Sequence, residues 1–288
     1  MFNPTAVVID AFVDELRKGY TSTYTTLEPD YPGIIDYVGH MALELIANSD
    51  APYHDLHHTI CVTMVGQEIL KGKHLREGGV GPRDWLHFII SLLCHDIGYV
   101  RGICRNDRPG LYVTGKDTEP VTLPEGATDA SLTPFHVERG KVFLRERFGK
   151  NRHIDPEILC ANIEHTRFPV PSNQEAKTSS EYPGLLRASD LIGQLADPSY
   201  MRKVSALFAE FAETGMNEKF GYSSPAGLRS AYPRFFWSMV SPHIPSAISN
   251  LQMTQAGKLW IANLYSHIFA EEHKLPTLGA ERSQLGDA

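Results

Sequence analysis

The sequence predicts an all-α fold in one domain, and three observations carry that prediction. Apolar residues recur at spacings of three and four along most of the 288 residues, the period of a helix that buries one face. Pro82, Pro134 and Pro156 stand where first turns would begin, and the missing proline N–H costs nothing there. Alternating runs that would form half-buried strands are absent from the sequence, and so are internal repeats.

The apolar periodicity sets the expected elements. We expect helices over residues 4–19, 33–48, 53–70, 82–98, 134–147, 156–165, 182–193 and 198–211, and a closing helix around 259–268. Residues 20–29, which are rich in threonine, are expected to form a loop. Residues 101–132 are rich in Gly, Pro, Asp and Thr, and a segment of this length is either a functional lid or a flexible insertion.

The domain organisation follows from these elements. We assign residues 1–50 to N-terminal helices packed on the core, 51–242 to the core, 243–275 to a closing helix of the same domain, and 276–288 to a flexible tail.

Composition limits the classes of function. The formal net charge is -7 and no Lys/Arg cluster is present, which argues against binding of duplex nucleic acid. The four cysteines lack Cys-x-x-Cys spacing, which indicates buried thiols in a reducing compartment. No apolar run approaches the ~20 residues of a membrane span, and the first residues lack the features of a signal peptide. We therefore expect a cytoplasmic protein without membrane partners.

Residues 92–98 contain the first chemical signal. His95 and Asp96 follow an apolar run that belongs in a core, where an unpartnered imidazole or carboxylate costs several kcal/mol. Neutral imidazole and carboxylate are both good ligands for a divalent metal. A metal ion is therefore the most economical partner for this pair.

Six residues in total share one property, because each lies on the inward face or at the buried end of a predicted helix. They are His58, His95, Asp96, His136, His165 and Asp190. Four imidazoles and two carboxylates from facing helices are what a two-metal site inside a helical bundle requires. Mixed nitrogen and oxygen ligands suit Fe, Mn, Zn or Mg, and the sequence does not choose among these metals.

The ordered pattern of His58, His95-Asp96 and Asp190 resembles the HD-domain metal-dependent phosphohydrolase superfamily. Over residues 52–242 the chain is also similar to the catalytic domain of class I cyclic nucleotide phosphodiesterases. The matches are Tyr53-His54-Asp55-Leu56-His57-His58 to Tyr-His-Asn-x-x-His, 135–144 to His-x-x-x-Gly-x-x-x-Leu, 188–191 to Ala-Asp-Leu, and the landmarks Glu210-Phe211, Gly221, Ser224-Pro225 and Val240-Ser241-Pro242.

The resemblance implies a role for each residue of the pattern. A first metal ion would be bound by His58, His95, Asp96 and Asp190, and Asp96 would bridge to a second ion held with His136 and His165. His54 would be the general acid, and a metal-bridging hydroxide would attack phosphorus. The implied substrate is a small phosphorylated molecule, a nucleotide in the first place. Homodimer formation is left open.

Three positions, Tyr99, Asp55 and Tyr232, depart from the phosphodiesterase pattern, and Phe235 keeps it. Tyr99 stands where that family carries the second histidine of His-Asp-x-x-His, and Asp55 replaces an asparagine. Tyr232 falls near the family's purine-selecting glutamine, and Phe235 falls near its ring-clamping phenylalanine. We expect Tyr99, Tyr232 and Phe235 to bind substrate without amide recognition of a purine, although Tyr232 and Phe235 also fit an ordinary aromatic core.

Three functions remain open at this point. The first is hydrolysis of a phosphoester, either a phosphodiester such as a cyclic nucleotide or a nucleoside monophosphate. The second is a di-iron oxygenase, because the same ligand set occurs in HD-domain enzymes that cleave C–C or C–P bonds with oxygen, and Tyr99 leaves that function open. The third is a non-catalytic sensor, against which the complete ligand set argues.

Overall fold

The computed structural model describes residues 2–116, 119–170 and 180–273. These residues form thirteen α-helices joined by turns and short 3-10 segments, with isolated bridges instead of a β-sheet. The predicted all-α fold is confirmed. The tail expected at 276–288 lies outside the described residues.

The helices fall close to the positions expected from periodicity. In chain order they are α1 Pro4–Tyr24, α2 Tyr31–Ile46, α3 Leu56–Glu77, α4 Pro82–Cys94, α5 His136–Phe148, α6 Pro156–Ile163, α7 Tyr182–Leu195, α8 Tyr200–Glu213, α9 Met216–Phe220, α10 Pro225–Ser230, α11 Tyr232–Phe235, α12 Pro245–Leu251 and α13 Gln255–Glu272. None of these helices is both long and apolar enough to cross a membrane.

The first helix corrects one expectation. Residues 20–24, assigned to a loop because of their threonines, continue α1. Tyr20 and Tyr24 explain this, because both rings are buried and each hydroxyl donates to a distant carbonyl oxygen. The acceptors are Leu27 for Tyr20 and Val80 for Tyr24, each at 2.6 Å. Tertiary burial of two tyrosines therefore outweighs the weak helix propensity of threonine.

Helix α3 lies at the centre of the fold and packs against α4, α7 and α12. Its contact with α7 is close because Gly193 has no side chain: a Cβ there would lie 2.6 Å from the Cα of Val62. Val62 is one turn after His58, and Gly193 is one turn after Asp190. The close approach of these two backbones therefore brings the two predicted ligands together.

A second close approach joins the 3-10 turn Ile97–Tyr99 to α5. A Cβ on Gly98 would lie 1.8 Å from the carbonyl oxygen of His136, so only glycine fits at this position. The contact places Asp96, two residues before Gly98, beside the first residue of α5.

The segment after this turn is held by a buried arginine. The Arg139 guanidinium donates to the carbonyl oxygens of Gly98, Val100 and Val113 and forms an ion pair with Asp107 at 3.0 Å. The beginning of the predicted 101–132 segment is thereby fixed to α5. Both interpretations of the segment, a lid or an insertion, stay open.

Candidate metal centre

Four ligand atoms from α3, the end of α4 and α7 converge on one point. The Nε2 of His58 lies 3.3 Å from an oxygen of Asp96 and 3.3 Å from an oxygen of Asp190. The Nε2 of His95 lies 3.1 and 3.7 Å from the same two oxygens, and the two nitrogens are 3.4 Å apart. Ligand atoms about 2.1 Å from one ion lie about 3.0–3.4 Å apart. Four of the five separations fall in this range and only the His95–Asp190 separation, at 3.7 Å, exceeds it, so the atoms are arranged closely enough to share one metal ion.

Hydrogen bonding sets the proton position on His95. Its Nδ1 lies 2.7 Å from the carbonyl oxygen of Leu92, to which only an N–H can donate. In the neutral ring, Nε2 then carries a lone pair that faces the Asp96 carboxylate. One Asp96 oxygen is buried without a hydrogen-bond partner in the described chain. A divalent cation among these atoms satisfies both groups, so the residues fit a metal ion.

The charges of the site favour a cation. Burial lowers the pKa of His58, but the carboxylates of Asp190 and Asp96, each with an oxygen 3.3 Å from its Nε2, outweigh burial and raise this pKa to about 10. Burial raises the pKa of Asp96, yet the neighbouring imidazoles of His95 and His58 hold it well below its usual range. The site therefore attracts positive charge, and a bound metal ion would displace the proton of His58, because a histidine ligand must be neutral.

His136 lies on the other side of Asp96. Its Nε2 is 4.0 Å from the second oxygen of that carboxylate, and its Nδ1 donates to the Thr133 carbonyl oxygen at 2.6 Å. Burial lowers the pKa of His136, which favours the neutral ring that a metal ligand must be. The Asp96 carboxylate therefore presents one oxygen to His58 and His95 and the other to His136.

His165 is the predicted ligand that lies apart from the rest. It lies in the 3-10 turn after α6 and lines the same cavity. Like His136, it belongs to none of the clusters of three or more ligand atoms found in the described residues, and unlike His136 it has no ion-pair contact with Asp96 among them. Its Nδ1 is nevertheless buried without a hydrogen-bond partner in that part of the chain, and burial lowers its pKa.

His54, the predicted general acid, is held by a glutamate. Its Nδ1 lies 2.6 Å from one oxygen of Glu210, and the other oxygen accepts from the backbone N–H groups of Tyr53 and His54 at 2.7 and 3.0 Å. Burial lowers the pKa of His54, but the charge and hydrogen bond of Glu210, with the charge of Asp96, together outweigh burial and raise it. The shift favours the imidazolium form of His54, whose ring lines the cavity.

The sequence showed Glu210 only as a landmark of the resemblance and did not reveal its contact with His54. A signal existed, because Glu210 lies three residues after Leu207 and one before Phe211 on the apolar face of α8. A carboxylate on such a face needs a partner.

Tyr99 separates two of the histidines. Its ring is stacked between His54, at 4.7 Å between centroids, and His136, at 4.6 Å. Burial raises the pKa of its hydroxyl well above the usual range, so the ring stays neutral. Tyr99 therefore fixes the orientation of both imidazoles and also lines the cavity.

One cavity of about 340 Å³ connects these groups. The three residues predicted to bind substrate, Tyr99, Tyr232 and Phe235, all lie on its wall. The Tyr232 hydroxyl donates to the carbonyl oxygen of Leu195 at 3.2 Å, so it is already engaged. Substrate contact by these three residues remains a prediction.

A second group of potential ligands consists of His57, Cys61 and Asp197. One Asp197 oxygen accepts from His57 and from the backbone N–H of Ser199, and the other lies 3.3 Å from the Lys203 ammonium. Lys203 already neutralises this carboxylate. We therefore interpret the group as an anchor for the start of α8.

The chain belongs to the Npun_R2479-like family, whose model matches residues 2–274. No curated protein and no solved structure matches the chain. The family description states no activity, so a functional assignment rests on the geometry of the centre and on the motifs.

Proposed function

We propose that this chain is a metal-dependent phosphohydrolase that cleaves a phosphodiester bond. The observation that carries the proposal is the presence, in one cavity, of a metal-ligand set and of His54, an imidazole that Glu210 holds through Nδ1 beside His58 and Asp96. The resemblance of the motifs to HD-domain phosphohydrolases supports the same reaction class. A nucleoside monophosphate is the alternative phosphoester, and a nucleotide substrate is suggested by the resemblance alone.

We group the proposed ligands of each metal ion by the distances between their ligand atoms. His58, His95, Asp96 and Asp190 would hold one divalent ion. The second Asp96 oxygen and His136, 4.0 Å apart, would hold another, with His165 from the same cavity wall. Bound metal ions supply a hydroxide at neutral pH and neutralise the charge of the phosphoryl oxygens.

The protein's own groups complete the reaction. Glu210 holds His54 through Nδ1, so the Nε2 proton is free for transfer to the leaving oxygen. Because the pKa of His54 is raised, this proton is retained to a higher pH than on a free imidazole. The Tyr99 ring keeps the His54 imidazole in its orientation while the proton moves.

A turnover assay tests the proposal. The purified chain, loaded in parallel with Mn, Mg, Zn or Fe, should hydrolyse bis-p-nitrophenyl phosphate without oxygen uptake. Asp96→Asn should reduce turnover by at least a hundredfold, because the carboxylate common to both ligand sets is lost. Asp36→Asn, an exposed change on α2, is the matched control and should retain full turnover.

The oxygenase alternative makes the opposite prediction. Two irons per chain, oxygen consumption with an organic phosphonate or polyol, and no p-nitrophenol release would replace the phosphohydrolase proposal by that function. The same preparation serves both measurements, so the two functions are compared directly.

A further inference from the structure

The cavity extends from the metal centre into a chamber of aromatic rings. The aromatic chamber is the part lined by Phe168, Phe211, Phe220, Tyr222 and Phe235. Phe220 contacts Phe211, Tyr222 and Phe168 with centroids 6.3, 6.0 and 6.1 Å apart, and Phe168 contacts Phe235 at 5.8 Å. The rings meet at tilted or edge-on angles, which is the arrangement that accepts a further ring.

Aliphatic side chains also line this cavity. They are Leu207, Leu228, Met216 and Met239. Phe168, on the same wall, is 36% exposed, so part of its apolar ring is left uncovered by the described residues. An apolar group that enters removes this surface from water.

Several polar groups of the wall are already engaged by the protein. Tyr232 donates to Leu195, Gln194 interacts with the Tyr200 hydroxyl, and the Ser238 hydroxyl donates to the carbonyl oxygen of Arg234 at 2.7 Å. A purine or pyrimidine edge carries several donors and acceptors, and these lose hydrogen bonds to water on entering an apolar chamber. The wall also carries Arg167, which pairs with Glu164, Arg187, which donates to the carbonyl oxygen of His165, and Arg234. The three engaged polar groups named first disfavour a nucleobase.

We propose that the second ester group of the substrate is an aryl group bound in the aromatic chamber. This inference rests on the proposed phosphodiesterase function. It departs from the nucleotide suggested by the motifs, and it names an aryl phosphodiester as the substrate class.

Three substrates with one leaving group test the inference. They are the p-nitrophenyl phosphodiesters whose second ester group is methyl, phenyl or thymidine. The phenyl ester should exceed the methyl ester in kcat/KM by about tenfold or more, because its ring becomes buried. The thymidine ester should not exceed the methyl ester. Equal values for phenyl and methyl, or a highest value for thymidine, would overturn the inference and leave the phosphodiesterase proposal intact.

Variants and a binding measurement separate the two proposals. Phe220→Ala should reduce the phenyl-to-methyl ratio to about three or less, and Phe235→Ala provides the same test if the first variant does not fold. Phe269→Ala removes an exposed ring outside the cavity and should leave the ratio unchanged.

In calorimetry on the metal-loaded protein, phenylphosphonate should bind about tenfold tighter than methylphosphonate. If this preference holds while no ester is hydrolysed, the reaction class is wrong and the aryl site stands. If phenylphosphonate binds no tighter than methylphosphonate, the aryl site is wrong.

Discussion

The contact between His54 and Glu210 is the residue-level feature on which the proposed chemistry depends. Glu210 is buried and binds three groups of the same two residues, so it holds both the backbone and the ring of His54. A general acid must carry its proton before the reaction, and a buried imidazole alone would lose it. The nearby carboxylate reverses this effect of burial.

Glu210→Gln should shift the alkaline limb of the pH–rate profile to lower pH. The Glu210 charge raises the pKa of His54, so the acid form is complete below that pKa and is lost as pH rises through it. Without the charge the pKa falls, and the protonated fraction at neutral pH falls with it. We expect kcat to drop about tenfold at pH 8 with unchanged metal content.

Glu213→Gln is the matched control on the same helix. Glu213 accepts hydrogen bonds from Thr128 and Ser131 and lies outside the cavity. The pH–rate profile of the Glu213→Gln variant should therefore match that of the wild type. An unchanged alkaline limb in Glu210→Gln would show that His54 is not the titrating acid.

At the scale of elements, the centre depends on how closely helices approach. Gly193 allows α3 and α7 to meet beside Val62, and Gly98 allows the turn after α4 to meet α5. Each contact lies within one turn of a pair of ligands. The geometry of the centre is therefore set by backbone packing as well as by the ligands.

Gly193→Ala should weaken metal binding and destabilise the fold together. The added methyl group would lie 2.6 Å from the Val62 backbone, and overpacking of this kind costs about 1–3 kcal/mol. Chemical denaturation should show this loss, and a metal titration should show at least tenfold weaker affinity.

Gly33→Ala is the control for this helix glycine. It adds the same methyl group on α2, where no atom lies within 4 Å, and should be neutral or slightly stabilising. Equal metal affinity in Gly193→Ala and the wild type would contradict the role assigned to the close packing of α3 against α7.

For the whole molecule, the sequence predicted the fold class, and helical periodicity placed the six candidate ligands on inward faces. The grouping of His58, His95, Asp96 and Asp190 at one ion was implied only by the resemblance, and their ligand atoms lie 3.1–3.7 Å apart in the structure. The sequence did not predict where α1 ends, because the burial of Tyr20 and Tyr24 extends this helix beyond its expected last residue. It also did not show which predicted ligands come close, because such distances depend on how pairs of helices cross. His165 is the example, since its inward face was foreseen but its separation from the other ligands was not.

The metal content of the purified chain is the most direct test of the central claim, that His58, His95, Asp96 and Asp190 share a divalent ion. After loading with Mn or Zn and removal of free metal, mass spectrometry should find at least one ion per wild-type chain. Asp96→Asn should lose this ion while circular dichroism shows that its helices persist. A folded wild-type chain that retains no metal, or an Asp96→Asn variant that retains all of it, would contradict the claim.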